Sequence, residues 1–186
     1  DPYNTPFKIY PAPHYAMGGL WVDYNLMTSV PGLYAIGEAN FSDHGANRLG
    51  ASSMMQCLAD GYFVLPQTIG DYLHDIYLDK VPLEHPAFAA TQGTVADRIK
   101  RLMSIQGTRT PMSLHEELGR TMWDNCGMAR NAKGLQSAID HIKELKQTFW
   151  SDLRIPGTDK GPNQALERAG RLADFLELGD LMCRDA

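Results

Sequence analysis

Three polar side chains stand close to glycines in the first fifty residues, and their chemistry suits the binding of anions and hydroxyl groups. Arg48 lies two residues before Gly50, and its guanidinium can offer two parallel donors to a carboxylate. Glu38 follows Gly37, where a carboxylate can accept hydrogen bonds from ribose hydroxyls. His14 can donate from its imidazole ring. Alone, each would more often be a surface or structural side chain, but the glycines favour a binding site.

Two predicted strands and a helix must position these residues. The strands are short β-prone runs bounded by Gly, Asp or Pro, namely Leu20-Trp21-Val22 and Leu33-Tyr34-Ala35-Ile36. After a glycine-rich loop, helical spacing predicts a helix over 51–64 with Ala51, Met54, Met55 and Leu58 on one face, the two methionines being core residues. Pro66 is expected to end or bend it. A strand, a glycine-rich loop and a helix N-terminus together form an anion site.

The motifs around these elements resemble the flavoprotein subunit of succinate dehydrogenase and fumarate reductase. They are His14-Tyr15-Ala16-Met17-Gly18-Gly19, Pro31-Gly32-Leu33-Tyr34-Ala35-Ile36-Gly37-Glu38 and His44-Gly45-Ala46-Asn47-Arg48-Leu49-Gly50. The middle motif is shared by many FAD proteins, whereas the outer two are highly specific in this order and spacing. The resemblance covers nearly the whole chain and corresponds to the later part of such a subunit.

The resemblance implies a role for each site residue. Substrate binding falls to His14 and Arg48, and FAD binding to Gly19, Glu38, Gly50, Ser53 and the backbone of Met54. The first turn of the helix would point its amides at the flavin, although Ser53 could instead be a plain N-cap. His44 either orients the loop or touches the ligand. Ser52 stands where relatives commonly have Asn, which leaves one polar contact undefined.

As a function, the resemblance implies interconversion of succinate and fumarate by hydride transfer with FAD. Electrons would pass to an iron–sulfur subunit and a membrane-anchor cytochrome b subunit, on the cytoplasmic face of a bacterial inner membrane. An L-aspartate oxidase-like flavoenzyme is the alternative, although Met17 and Leu49-Gly50 favour the succinate and fumarate branch. From a different class, residues 94–186 could serve as a helical module that docks a partner subunit.

Composition and residue spacing argue against several other classes of protein. The 186 residues carry a net charge of -5 with no basic cluster, which argues against nucleic-acid binding. No apolar run is long enough to span a membrane, and the chain opens without a signal peptide. Three widely spaced cysteines argue against a disulfide framework and favour buried structural thiols in a reducing compartment. Neither they nor His74, His85, His115 and His141 have metal-ligand spacing, so no metal site is expected.

The predicted fold class is α+β, with three parts. Residues 1–78 form the C-terminal part of an FAD-binding α/β domain, with a few strands and one helix. Residues 79–93, which include Pro82 and Pro86, are a linker. Residues 94–186 form an antiparallel helical bundle, in which one helix begins with a capping box at Ser113 and Glu116. Its core is expected to contain Leu135, Ile139, Ile142, Leu172 and Leu176.

No GxGxxG motif occurs in the sequence, although flavoproteins of this kind bind the FAD pyrophosphate with one. The family's covalent flavin-attachment His and its acid/base Arg belong to an earlier segment. No catalytic residue is therefore assigned to this chain. On its own it is expected to purify without yellow colour and to reduce no dye when succinate is added.

Overall fold

The computed structural model describes residues 3–6, 8, 14, 17–41, 44, 48–74, 76 and 80–186, which fall into two compact units, 1–80 and 81–186. The described part is mostly helical. Its α-helices are α1 Ser52–Ala59, α2 Leu65–His74, α3 Pro86–Ser104, α4 Pro111–Asn125, α5 Ala132–Asp152 and α6 Gln164–Asp185. A 3-10 turn, Gly37–Ala39, and a π-helical segment, Asp60–Val64, complete the regular structure.

The two runs predicted as strands make only isolated bridges in the described residues. Leu20 pairs with Asn40, and Met27 pairs with Tyr34 in a tight hairpin. The hairpin is closed by hydrogen bonds from Ala35 N to Leu26 O and from Thr28 N to Leu33 O, of 3.1 and 2.8 Å. The prediction of strands is therefore not met. The runs are extended, but each finds a partner at one position, which is too short for a ladder.

The helix predicted over 51–64 continues past Pro66 as α1, the π-helical segment and α2. At the end of the π segment the Leu65 amide donates to Asp60 O, five residues back. Proline in a regular helix clashes with the carbonyl four residues earlier and removes one hydrogen bond. The wider π turn directly before Pro66 opens the helix where that clash would fall. Pro66 therefore lies within the helix and does not end it.

The core of the first unit lies between the hairpin and the end of the π segment. Val22, Leu26 and Ala35 are buried, and the partly buried side chains packed on them are Ile36, Phe41, Val64 and Leu65. The prediction that Met54 and Met55 are core residues is wrong for this structure, since 66% and 70% of their surfaces are exposed. Their face of α1 points away from this core, and no residue of α1 is buried.

In the second unit α4, α5 and α6 pack pairwise around one core. Of the predicted core residues, Ile142, Leu172 and Leu176 are fully buried and Leu135 and Ile139 are partly buried against them. Contacts at the helix ends include Thr108 N and Oγ1 donating to the Asp152 carboxylate, at 2.7 and 2.9 Å. The predicted helices are present, and their antiparallel order stays a prediction.

Helix starts in this unit follow proline and cap chemistry rather than the predicted boundaries. α4 begins at Pro111, where the Thr110 side chain accepts from Ser113 N at 3.2 Å, so Ser113 is not the cap. Pro favours the first helical position, because its missing N–H has no partner there in any case. In the same way α3 begins at Pro86, capped by His85, within the range predicted as a linker.

Candidate cofactor-binding site

Gly19 makes the closest backbone approach in the first unit. Its φ is +150°, and a Cβ built on it would lie 2.7 Å from the carbonyl oxygens of Ala39 and Asn40. The Leu20 amide donates to Ala39 O at 2.9 Å, and the Phe41 amide donates to Leu20 O at 3.0 Å. Only glycine fits such a contact without moving the backbone. The Gly18-Gly19 segment is thus held against the residues that follow Glu38.

Glu38 lies in the 3-10 turn Gly37–Ala39 and is exposed. Gly37 has φ of +61°, and a Cβ there would lie 3.1 Å from Cys57 Sγ on α1. The turn therefore packs directly on α1, and the glycine permits both the left-handed backbone and the close contact. As a result, the structure groups the Gly19 segment, the Glu38 turn and α1.

A buried polar network fixes the end of this turn, and sequence reasoning missed it. Asn40 is 1% exposed, and its Nδ2 donates to Ala35 O at 3.2 Å and to Asp60 Oδ2 at 3.4 Å. Gln56 Nε2 donates to Asn40 Oδ1 at 3.5 Å. Asp60 itself is 7% exposed and opens the π segment. A buried Asn whose amide is satisfied on both sides ties the loop to the helix.

The first turn of α1 is not capped by a side chain. Its N-cap is Ala51, which has φ of +63°, and the Ser52 hydroxyl donates to Leu49 O at 2.7 Å instead of accepting from the helix. Ser53, half-buried in that first turn, therefore does not act as the N-cap either. The left-handed residue is Ala51 rather than Gly50, around which a Cβ would meet nothing within 4 Å.

A non-glycine residue in the left-handed region costs about 1–3 kcal/mol, and such strain concentrates at functional positions. Because Ala51 has no side chain that can accept a hydrogen bond, the first amides of α1 are not engaged by a side-chain cap. The positive end of a helix favours negative charge. The chemistry available at this end of the helix is therefore donation of hydrogen bonds to an anionic or electron-rich group.

The remaining predicted site residues are less tightly placed. Arg48 is half-buried, and its Nη1 donates to Leu49 O at 3.5 Å. His14 is exposed, and His44 is half-buried. Met54 is exposed on α1. Residues 15, 16 and 45–47 of the His14 and His44 motifs lie outside the described residues. The grouping of His14 with Arg48 at one substrate site stays a prediction.

Tyr34 and Tyr72 connect the hairpin to α2. Their rings meet edge to face with centroids 5.9 Å apart. A Cβ on Gly32, whose φ is +82°, would lie 2.7 Å from the Tyr72 hydroxyl. Desolvation, together with Tyr72 and Asp23, raises the pKa of the Tyr34 phenol above 10.0, so it remains protonated at neutral pH. The pair stabilises the hairpin that carries the loop to Glu38.

Among the residues described, no three His, Cys, Asp or Glu side chains converge in a way that could hold a metal ion. Nor does the described part of the chain contain a helix long and apolar enough to cross a membrane.

Comparison with known proteins connects both units to one group of enzymes. A family model described as an FAD binding domain matches residues 1–54, and one described as the C-terminal part of the fumarate reductase flavoprotein matches residues 115–186. The succinate dehydrogenase flavoprotein subunit of Bacillus subtilis is 36% identical over 96% of this chain. An L-aspartate oxidase of Synechocystis is 32% identical over 100% of it.

A solved structure gives the same result. The quinol–fumarate reductase of E. coli superimposes with a TM-score of 0.80 at 29% identity, over 99% of this chain and 31% of that chain. The chain spans only 30% of the Bacillus subtilis protein and 34% of the Synechocystis protein. With family models, relatives and structure in agreement, the chain belongs to the family of succinate dehydrogenase and fumarate reductase flavoprotein subunits, and the cofactor of the full-length subunit is FAD.

Proposed function

We propose that this chain forms part of an FAD-dependent subunit that interconverts succinate and fumarate. The observation that carries the proposal is the packing of the Gly19 segment and the Glu38 turn on α1, whose first turn has no side-chain cap. This arrangement fits FAD, because it offers one carboxylate acceptor and several amide donors. When bound, FAD exchanges a hydride with the substrate.

Each predicted residue has a defined task in this proposal. Glu38 accepts hydrogen bonds from the ribose hydroxyls. Ser53 and the Met54 amide lie in the first turn of α1 and would hold the electron-rich edge of the isoalloxazine, where they would stabilise negative charge. Gly19 and Gly50 keep the loops free of side chains beside the cofactor. Asn40 positions the turn that carries Glu38, through Asp60 and Ala35.

Arg48 and His14 are proposed to hold the substrate. The Arg48 fork donates two parallel hydrogen bonds to one carboxylate of the dicarboxylate. The His14 imidazole donates another, and together they orient the substrate carbon–carbon bond. Electron transfer then continues through an iron–sulfur subunit and a membrane-anchor cytochrome b subunit, on the cytoplasmic face of a bacterial inner membrane. The similarity to the Mycobacterium smegmatis Sdh1 complex supports assembly with other subunits.

Substitution of Arg48 by Lys in the full-length subunit tests the substrate role. Lys keeps the charge but loses the two-donor fork, so succinate-dependent dye reduction should fall by at least about 100-fold while the FAD absorbance at equal protein concentration stays unchanged. Arg120→Lys, at an exposed position on α4, is the matched control and should keep full turnover. Near-normal turnover in Arg48→Lys would remove Arg48 from the substrate site.

The second candidate function is oxidation of L-aspartate, which is favoured by the 32% identity to an L-aspartate oxidase over the whole chain. The two functions differ in which substrate bleaches the flavin. An absorbance spectrum of the full-length subunit under argon, with succinate or L-aspartate added, separates them. Bleaching by succinate alone supports the proposal, and bleaching by L-aspartate alone transfers the chain to the second function.

A further inference from the structure

Three sulfur atoms meet where the last turn of α4 packs on the last turn of α6. Met122 lies in the last turn of α4, and Cys126 is the C-cap residue four positions later, a spacing that places the two on one side of the helix end. Cys183 approaches from α6, with its Sγ 3.7 Å from Met122 Sδ. Cys126 is buried in the same core as Cys183, and its thiol acts on the Cys183 thiol. The sequence alone gave no sign of this group, because its two cysteines are 57 positions apart (183 − 126).

The sulfur group is enclosed by well-packed helices. Cys126 and Cys183 are free cysteines with 6% and 3% of their surfaces exposed. Gly179 brings α4 and α6 together one turn earlier, since a Cβ there would lie 3.3 Å from Met122 Sδ. Two thiols and a thioether are thus held close together by the fold, without a disulfide between them.

Nearby charged groups do not compete for this position. The Asp180 carboxylate is engaged by Lys146 Nζ at 3.2 Å and by Arg184 Nε at 2.9 Å. Arg130 and Asp180 are the charged groups that act on Cys183, and they have opposite effects on the pKa of its thiol. The ligand atoms available in the enclosed space are therefore sulfur.

We propose that Met122, Cys126 and Cys183 bind Cu(I). Thiolate and thioether ligands select soft Cu(I), whereas Zn²⁺ takes four ligands from thiolates, imidazoles and carboxylates. The site supplies three sulfur ligands, one of them a thioether, and therefore matches the preference of Cu(I). On binding, the two S–H bonds break, both protons go to solvent and three Cu–S bonds form. No electron is transferred.

The test is a Cu(I) titration of the reduced 186-residue chain under argon, in competition with bicinchoninate. We expect one Cu(I) per chain. Cys126→Ser and Cys183→Ser should abolish competition, and Met122→Leu, which keeps the side-chain volume, should weaken binding at least by the roughly tenfold that an outer-shell substitution costs. Cys57→Ser removes the exposed third cysteine and is the matched control, with unchanged affinity.

X-ray absorption at the copper edge reports the ligands directly and should show three sulfur scatterers. Two sulfurs, or wild-type affinity in Met122→Leu, would overturn the three-sulfur site. Unchanged affinity in either serine variant would overturn Cu(I) binding at these cysteines. Circular dichroism melting of each variant checks folding. Met122→Leu decides the case if a serine variant does not fold.

Discussion

Asn40 and Asp60 are joined by a buried hydrogen bond of 3.4 Å, although they lie twenty residues apart in the sequence. Asn40 closes the turn that carries Glu38, and Asp60 is the first residue of the π segment. The contact therefore fixes the candidate ribose-binding carboxylate relative to the helix below it. Four predictions test this site and the two cores.

Asn40→Ala should destabilise the loop over 35–41. The substitution leaves the Ala35 carbonyl and the Asp60 carboxylate without their buried donor, which costs about 1–3 kcal/mol for each unsatisfied group. Hydrogen exchange of the amides in 35–41 measures the change as faster exchange. Asn25→Ala, at an exposed position of the same unit, should leave exchange unchanged. Equal protection of the loop in both variants would show that Asn40 does not hold it.

Gly19→Ala should be clearly more damaging than Gly18→Ala. Both glycines have left-handed φ, +150° and +96°, so both substitutions introduce backbone strain. Only at Gly19 would the new Cβ also meet the backbone oxygens of Ala39 and Asn40, at 2.7 Å. The expected extra loss is at least about 1 kcal/mol in the free energy of unfolding of the first unit. Urea titration followed by amide exchange measures it, and equal losses would contradict the close approach.

Ile142→Ala should cost about 2–5 kcal/mol of stability in the second unit. Ile142 is fully buried where α4, α5 and α6 meet, so the substitution leaves a cavity. Leu181→Ala on α6 is the control, since 62% of the surface of Leu181 is exposed. This substitution should change the free energy of unfolding by no more than about 0.5 kcal/mol. Chemical unfolding monitored by circular dichroism reports both. A negligible loss for Ile142→Ala would place it outside the core.

Acid should weaken the second unit through Glu117. The hydrogen bond from Arg109 Nη2 at 2.6 Å, helped by the charges of Arg109 and His141, lowers the pKa of Glu117 below 4.5 against a smaller effect of desolvation. A carboxylate with a lowered pKa in the folded state stabilises the protein above its unfolded pKa, and this stabilisation is lost as the pH falls through the folded pKa.

Glu117→Gln should therefore lower the thermal midpoint at pH 7, and its difference from wild type should shrink as the pH falls from about 5 towards 3. Glu116→Gln, at an exposed neighbouring position on α4, is the control and should follow the wild-type curve. A constant difference for Glu117→Gln across this range would show that ionisation of Glu117 does not stabilise the fold.

The helical unit was predictable because its information is periodic. Apolar spacing in α5 and α6 placed Ile142, Leu172 and Leu176 in the core, and the structure buries all three. The first residues of the helices were predicted less accurately. Thr110 and His85 cap helices that begin at proline, a residue type that also marks linkers and helix breaks. The sulfur group and the Arg109–Glu117 pair escaped detection, since contacts between distant residues leave no local pattern.

The candidate site was predictable only in part. Gly19 and Gly37 both have positive φ, and each makes a close contact inside the fold that the motifs do not predict. The left-handed residue at the start of α1 is Ala51, which no propensity would assign. The contact between Asn40 and Asp60 leaves no local pattern in the sequence, because the two residues lie twenty positions apart. The exposed Met54 and Met55 show that periodicity identifies an apolar face but not the surface that covers it.

The π segment at Asp60–Val64 has a consequence for the whole helix from Ser52 to His74. A turn closed by a bond from residue 65 to residue 60 contains one residue more than an α turn, so every later side chain is rotated by about 100° around the axis. A single surplus residue therefore sets the angular phase of α2 against α1. Deleting one position there would turn Tyr72 away from the hairpin, so a gap of one residue in this segment should accompany a different hairpin contact in a relative.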